Sequence, residues 1–216
     1  MKRSFAIIGL GIFGSTIARE LSRLGNDVLG IDSDPVVINE IADSITQAVV
    51  ADGRDENALR DLGVHECDVA VVAIGKNMEA NLLTVLNIKG MGKPEVWCEA
   101  MDYSHHQILQ KIGADHIVHP EHEMGLRLAN SLIYPEVLDY ISLGHEQFTV
   151  EILVSERLDG KTLDALHLEE NEVKCLLIKH RREVMAPPAP DYVLARQDQL
   201  VLLGSLSKLS KVSKYL

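Results

Sequence analysis

The sequence predicts an α/β protein: a Rossmann-type, doubly wound parallel sheet followed by a small α+β subdomain. Three observations carry this. Between residues 5 and 118, short apolar runs alternate with segments of helical spacing, the pattern of strands buried on both faces by crossover helices. A glycine-rich turn, Gly9-Leu10-Gly11-Ile12-Phe13-Gly14, joins the first run to the first helix. Beyond Gly144 long helical patterns stop, and alternating β-rich runs take over.

Taken in order, the expected strands of the first part are Phe5–Ile8, Val28–Ile31, Ala48–Ala51, Val69–Ile74, Glu95–Cys98 and His116–Val118. The helices between them are Ile12–Leu24, Val36–Ala42, Glu56–Leu62, Met78–Lys89 and Tyr103–Ile112. Six strands make a full Rossmann sheet. A helix over Glu123–Ile133 follows, then Pro135 interrupts, and Val137–Ile141 reads as a short helical piece. Further on, Phe148–Val154, Val173–Ile178 and Gln199–Leu203, ending at Gly204, read as strands. Leu163–Leu166 reads as one or two helical turns, and Arg181–Glu183 as a turn before the proline-rich Ala186–Pro190. The C-terminal Ser/Lys-rich tail reads as a frayed helix. This divides the chain into a nucleotide-binding domain with crossover helix over residues 1–134, and a linker with a β-rich subdomain over residues 135–216.

Composition narrows the function classes. The chain has 216 residues, 46% hydrophobic and 25% charged, ordinary values for a globular protein with a sizeable core. Aromatics are only 4%, so that core is aliphatic. The net charge of −11 repels nucleic acid phosphates and anionic lipid, so neither is an expected partner. The basic clusters at Lys179, Arg181 and Arg182, and at Lys208, Lys211 and Lys214, are too small to reverse it and read as solvated surface. Cys67, Cys98 and Cys175 are far apart and contain no CxxC pair, which fits buried, reduced cysteines in a cytoplasmic protein. The basic N-terminus runs into a short apolar stretch broken by Gly9, a first strand rather than a signal peptide. No uninterrupted apolar stretch approaches the roughly 18 residues of a membrane span.

The glycine-rich turn is the strongest chemical signal. Gly9 permits the tight turn, Gly11 leaves room for a phosphate against the backbone, and Gly14 lets the helix pack close to the strand. The helix N-terminus then offers free N–H groups to an anion. Such a turn alone is weak evidence, but Asp32 lies about twenty residues on, at the end of the second strand, where an acid accepts from ribose hydroxyls and disfavours a 2′-phosphate. Asp34, directly before Pro35, is the better cap for the next helix. Asp52 follows the third strand and is placed to reach an adenine amino group or to cap the short helix after it. Ala73-Ile74-Gly75 ends the fourth strand on the same ligand side. His105, His106, His116, His119 and His122 gather around the fifth and sixth strands. HxxH at His119 and His122 lacks the glutamate-bearing helix of a metalloprotease, and no GxSxG elbow or P-loop occurs.

The joint recurrence of Gly9–Gly14, Asp32, Ala51-Asp52, Val72–Gly75, Lys111–Asp115 and His119-Pro120-Glu121 resembles the regulator-of-potassium-conductance (RCK) domains, as found in regulatory subunits of bacterial Ktr-type potassium uptake. The stretch Pro187–Asp191 leading to Asp198–Val201 is similar to that family's C-terminal subdomain. The resemblance implies a cytoplasmic, non-enzymatic regulatory subunit, peripheral at the membrane through its partner, a membrane-embedded potassium-translocating subunit. It implies dimers assembling into an octameric gating ring whose shape is set by ATP or ADP. Cofactor contacts would come from Gly9, Gly11, Ile12, Phe13, Gly14, Asp32, Ser33, Asp52, Ala73, Ile74, Gly75 and Glu99. Glu121 would hold a cation such as Mg, Ca or Na at the phosphates, or else serve the N-terminal dipole of the following helix. In two places the chain departs from the family: Ile12 stands where relatives carry a phosphate-reaching arginine, and Glu99 where they often carry a basic residue. NAD(H), the ligand of Trk-type subunits, therefore stays open beside ATP and ADP. The rival reading is an NAD-dependent oxidoreductase, but the small C-terminal part holds no evident proton relay.

Overall fold

A computed structural model describes residues 2–133, 137–144, 146–205 and 207–209. The chain divides into two compact units, Met1–Glu123 and Met124–Leu216. In the first, six strands form a parallel sheet: β1 (Ser4–Ile8), β2 (Asp27–Asp32), β3 (Gln47–Val50), β4 (Val69–Val72), β5 (Glu95–Glu99) and β6 (His116–Val118). The spatial order is β3-β2-β1-β4-β5-β6, the doubly wound Rossmann order, with its topological switch between β1 and β4. The expected parallel sheet is therefore present. Helices α1 (Ile12–Arg23), α2 (Pro35–Ile41), α3 (Glu56–Asp61), α4 (Met78–Met91) and α5 (Tyr103–Ile112) connect the strands, and α6 (Pro120–Ile133) follows β6.

β4 is buried along its whole length, as its all-apolar Val69–Val72 requires of a central strand. Two aliphatic clusters result. One gathers Ile8, Leu59, Val72, Val85 and Ile88; the other gathers Ile7, Val28, Ile38, Ile41 and Val71. Cys67 and Cys98 lie in the first of these and carry no disulfide. Burial raises the Cys98 thiol to about 12, so it stays protonated at neutral pH.

The second unit is built on an antiparallel sheet of β7 (Val137–Gly144), β8 (Gln147–Leu153), β9 (Lys174–His180), β10 (Glu183–Met185) and β11 (Gln199–Ser205), in the order β10-β9-β11-β8-β7. One expectation fails here. Val137–Ile141 is not helical; it belongs to β7, which pairs antiparallel with β8. A helical piece of five residues is too short to stand alone, whereas the strand satisfies a backbone edge of β8 that would otherwise lie open. The turn expected over Arg181–Glu183 closes one residue sooner: Arg181 takes a φ of 55°, and Glu183 already begins β10. Leu163–Leu166 contributes a single 3-10 turn over Asp164–Leu166. The helix expected from Glu123, α6, starts at Pro120, with proline at its first position. Pro135, and the tail beyond residue 209 with Lys211 and Lys214, lie outside the described residues; residues 207–209 are helical.

Candidate functional site

The site is built at the C-terminal ends of the parallel strands, beginning with the turn after β1. Gly9 has a φ of 91°, and a Cβ there would lie 2.6 Å from the Ala73 carbonyl oxygen at the end of β4. Only glycine meets both conditions. At Gly14 a Cβ would lie 1.9 Å from the Gly9 carbonyl oxygen, so this glycine lets α1 close on the turn itself. Gly11 differs: a Cβ there meets nothing within 4 Å, and the space in front of it is open.

That open space lies at an uncapped helix end. Helices α2, α3, α4 and α5 are capped by the side chains of Asp34, Asp55, Asn77 and Asp102. The N-cap of α1 is Gly11, with no side-chain cap hydrogen bond. The first hydrogen bond inside α1 runs from Ser15 N–H to the Gly11 carbonyl, at 2.9 Å. The first-turn N–H groups of Ile12, Phe13 and Gly14 therefore face an anion-receptive position. Ile12 is 90% exposed beside it, while Phe13 is half-buried.

Asp32 ends β2 next to this turn. Its Oδ2 accepts from Leu10 N–H at 2.7 Å and its Oδ1 from Asp34 N–H at 2.9 Å. A carboxylate has about four acceptor positions, so two remain. The residue is half-buried and Ser33 beside it is exposed. Capping of α2 belongs to Asp34, whose Oδ1 accepts from Val36 N–H at 2.8 Å.

Asp52 lies just past β3, where Ala51 N–H donates to the Asp32 carbonyl at 3.0 Å. It does not cap α3, a role Asp55 takes by accepting from Asn57 and Ala58 N–H. Instead Asp52 is gripped by Arg54, which no motif in the sequence marks. Arg54 Nε lies 3.0 and 3.1 Å from its two oxygens, Nη2 lies 2.7 Å from Oδ2, and Arg54 N–H donates to Oδ1 at 2.9 Å. The guanidinium holds the Asp52 carboxyl below its usual range.

On the other side of the switch point, Ala73, Ile74 and Gly75 leave β4. A Cβ on Gly75 would come 2.7 Å from Glu99 Oε1, so the Glu99 carboxylate lies directly against that backbone. Burial first, and then the charge of Glu121, raise the Glu99 carboxyl above its usual value. Glu121 itself is exposed in the first turn of α6. Buried Asn81, also unremarked in the sequence, donates through Nδ2 to the Ile74 and Glu99 carbonyls, each at 3.1 Å, and ties the ends of β4 and β5 together. An asparagine in the first turns of an otherwise apolar helix was the available signal.

The histidines split by role. His105 is fully buried, its Nδ1 accepting from Met101 N–H at 3.3 Å, and burial lowers its pKa. His106 Nδ1 lies 2.9 Å from His119 Nε2 with the rings stacked. His116 stacks on Trp97, and His122 is exposed. Among the described residues, no three His, Cys, Asp or Glu side chains converge as a metal site.

Comparison with known proteins identifies the family. The TrkA-N domain matches residues 5–120 and the TrkA-C domain residues 148–216. The Ktr system potassium uptake protein A of Bacillus subtilis (strain 168) is 41% identical over 203 residues, which is 94% of this chain and 91% of that protein. The Ktr system potassium uptake protein C of the same organism is 39% identical over 215 residues, 99% of this chain and 97% of that one. The solved structure of the GsuK channel bound to NAD matches with a TM-score of 0.57 and 21% identity. It covers 99% of this chain, which spans only 38% of that channel, and the likeness concerns the fold alone.

Proposed function

Because the chain belongs to the TrkA family of potassium-uptake proteins, with a TrkA-N domain followed by a TrkA-C domain, we propose that it is the nucleotide-sensing regulatory subunit of a potassium uptake system. The observation that carries the nucleotide reading is the uncapped N-terminus of α1, open in front of Gly11 and flanked by the half-used carboxylate of Asp32. Phosphates sit over Gly11 against the N–H groups of Ile12, Phe13 and Gly14. The ribose hydroxyls donate to the two remaining acceptor positions of Asp32, with Ser33 alongside, and the base faces Asp52. Ala73, Ile74, Gly75 and Glu99 border the far side. ATP and ADP are the leading ligands and NAD(H) the alternative, whereas a 2′-phosphate would be repelled by Asp32.

Glu121 holds a cation, Mg, Ca or Na, at the phosphates. The mutual repulsion of Glu99 and Glu121 supports this, since a cation between carboxylates and phosphate relieves it. The subunit acts on a membrane-embedded potassium-translocating partner at the cytoplasmic face, as a ring of dimers up to an octamer, and performs no catalysis. Exposed Met124, Leu126, Leu128 and Leu132 on α6 support self-association. The net charge supports the absence of nucleic acid and lipid ligands. No helix among the described residues is long and apolar enough to cross a membrane.

Titration calorimetry of the nucleotide-free protein with ATP, ADP, NAD and NADH tests the reading. Saturable binding of an adenine nucleotide, without turnover of it, is expected. A protein that binds none of the four refutes it. With Glu121→Gln, the gain in ATP affinity on adding divalent or sodium ion should disappear; an unchanged gain removes Glu121 from the site.

A further inference from the structure

The grip of Arg54 on Asp52 bears on which base the site accepts. Four contacts run from this one residue to the carboxylate: the backbone N–H at 2.9 Å, Nε at 3.0 and 3.1 Å, and Nη2 at 2.7 Å. They engage both oxygens and account for nearly all of the roughly four acceptor positions a carboxylate offers. Arg54 is itself anchored through its carbonyl, which accepts from Asn87 Nδ2 at 2.9 Å, and the negative charge of Glu79 on α4 adds a little to the stabilisation of its guanidinium. Both members of the pair are half exposed, at 50% for the Arg54 side chain and 46% for Asp52, so a ligand can reach them. This contrasts with Asp32, which keeps two acceptor positions free.

A purine is read at its six-position by whether the edge donates or accepts. Adenine carries an amino donor there; hypoxanthine and guanine carry a carbonyl acceptor. At the six-position itself a lone carboxylate welcomes the first and repels the second, while the neighbouring N1–H of a 6-oxopurine is a donor that adenine lacks. A carboxylate already wearing a guanidinium presents acceptor and donor together, and the guanidinium competes with the amino group for the carboxylate. We propose that Arg54 is a specificity-determining residue of the nucleotide site: paired with Asp52, it lowers discrimination against 6-oxopurine nucleotides by donating to their carbonyl and by occupying the acceptor positions that adenine needs. The inference rests on the placement of the base at Asp52 given above. It makes base choice a property of the pair.

The test compares ATP with inosine triphosphate, which differs only at the six-position and in the proton on N1, by calorimetry on the full chain. Wild type, Arg54→Ala and Asp52→Ala are measured; both positions are exposed, and circular dichroism checks that each variant is folded. The expected wild-type preference for ATP is less than tenfold. Arg54→Ala should raise that preference at least tenfold, with ATP bound as tightly or more tightly and inosine triphosphate more weakly. Asp52→Ala should lower it to parity or below. If Asp52→Ala shifts the ratio and Arg54→Ala leaves it within twofold, Asp52 reads the base alone and the role of Arg54 is refuted. If neither variant moves the ratio, or wild type binds neither nucleotide, the base does not lie at Asp52 and the placement falls together with the proposal.

Discussion

Asp32, which ends β2 in the first unit, and Asp198, which directly precedes β11 in the second, both accept from backbone N–H, yet their remaining capacity differs. Asp198 is fully buried and takes hydrogen bonds from His180 Nδ1 at 2.5 Å, Tyr192 OH at 2.9 Å and Ala195 N–H at 2.9 Å. These partners link β9, β11 and the long connection before β11. Asp32 is half-buried and takes only two, both from the backbone of the turns around it. A carboxylate enclosed by its own chain serves the fold, because its desolvation is offset internally. One with open acceptors beside an uncapped helix end keeps its hydrogen-bonding capacity for groups outside its own chain. The same contrast separates glycines within the first unit: Gly14 faces backbone, Gly11 faces open space.

The largest expected effect follows from the closed member. Asp198→Ala removes the shared acceptor of a partly exposed imidazole, a half-buried phenol and a backbone amide, and should destabilise the second unit by about 3 kcal/mol. Chemical denaturation should show this while adenine nucleotide affinity stays within twofold. Lost nucleotide binding at unchanged stability would invert the comparison.

Within the glycine turn, Gly14→Ala drives a methyl into the Gly9 carbonyl and should cost about 2 kcal/mol of stability, since backbone on both sides resists movement. Gly11→Ala should melt within a degree or two of wild type and still lose nucleotide affinity. Equal melting temperatures for the two variants would mean that the turn yields more easily than its geometry implies.

Asp32→Ala sharpens the contrast further. It should weaken binding of ATP, ADP or NAD by about 2 kcal/mol, the scale of hydrogen bonds to a charged group, with about 1 kcal/mol lost in stability from the freed Leu10 N–H. Calorimetry and denaturation separate the two. A stability loss larger than the affinity loss would place Asp32 with Asp198 as a structural group.

The smallest effect depends on pH. The Glu99 carboxyl is raised in the folded chain, so the folded state binds more protons than the unfolded one between the usual glutamate value near 4.5 and the raised value. Stability therefore falls as pH rises through that window, and the cost is fully present above it. Glu99→Gln should melt higher than wild type at neutral pH, with the gap closing on acidification below pH 4.5. A gap that stays constant with pH would show that ionised Glu99 is not under strain.

Much of this was legible in the sequence because it depends on local periodicity and on residues with few conformational options. The uninterrupted apolar run at Val69–Val72 is rich in β-branched valine and too short for a buried helix, so it reads as a central strand, and a glycine at 9, 11 and 14 behind such a run admits few geometries. Asp34 before Pro35 announces a helix cap with no tertiary information. The strand at Val137–Gly144 was not legible, since a short apolar run suits either state and the free edge of β8 settles the choice. Nor was the buried role of Asn81, whose two acceptors, just past β4 and at the end of β5, are brought together only by the fold.

The sequence by itself determined that a doubly wound sheet would carry an anion-receptive turn with an acid one strand away, because strand order and glycine spacing follow from chain connectivity and backbone sterics. Only the tertiary structure decided which acids are open and which are closed. That depends on the partners brought to each carboxylate: Arg54 to Asp52, His180 and Tyr192 to Asp198, and Glu121 near Glu99. Hydrogen-bond saturation is a property of three-dimensional neighbours, and residue type and spacing alone do not encode it.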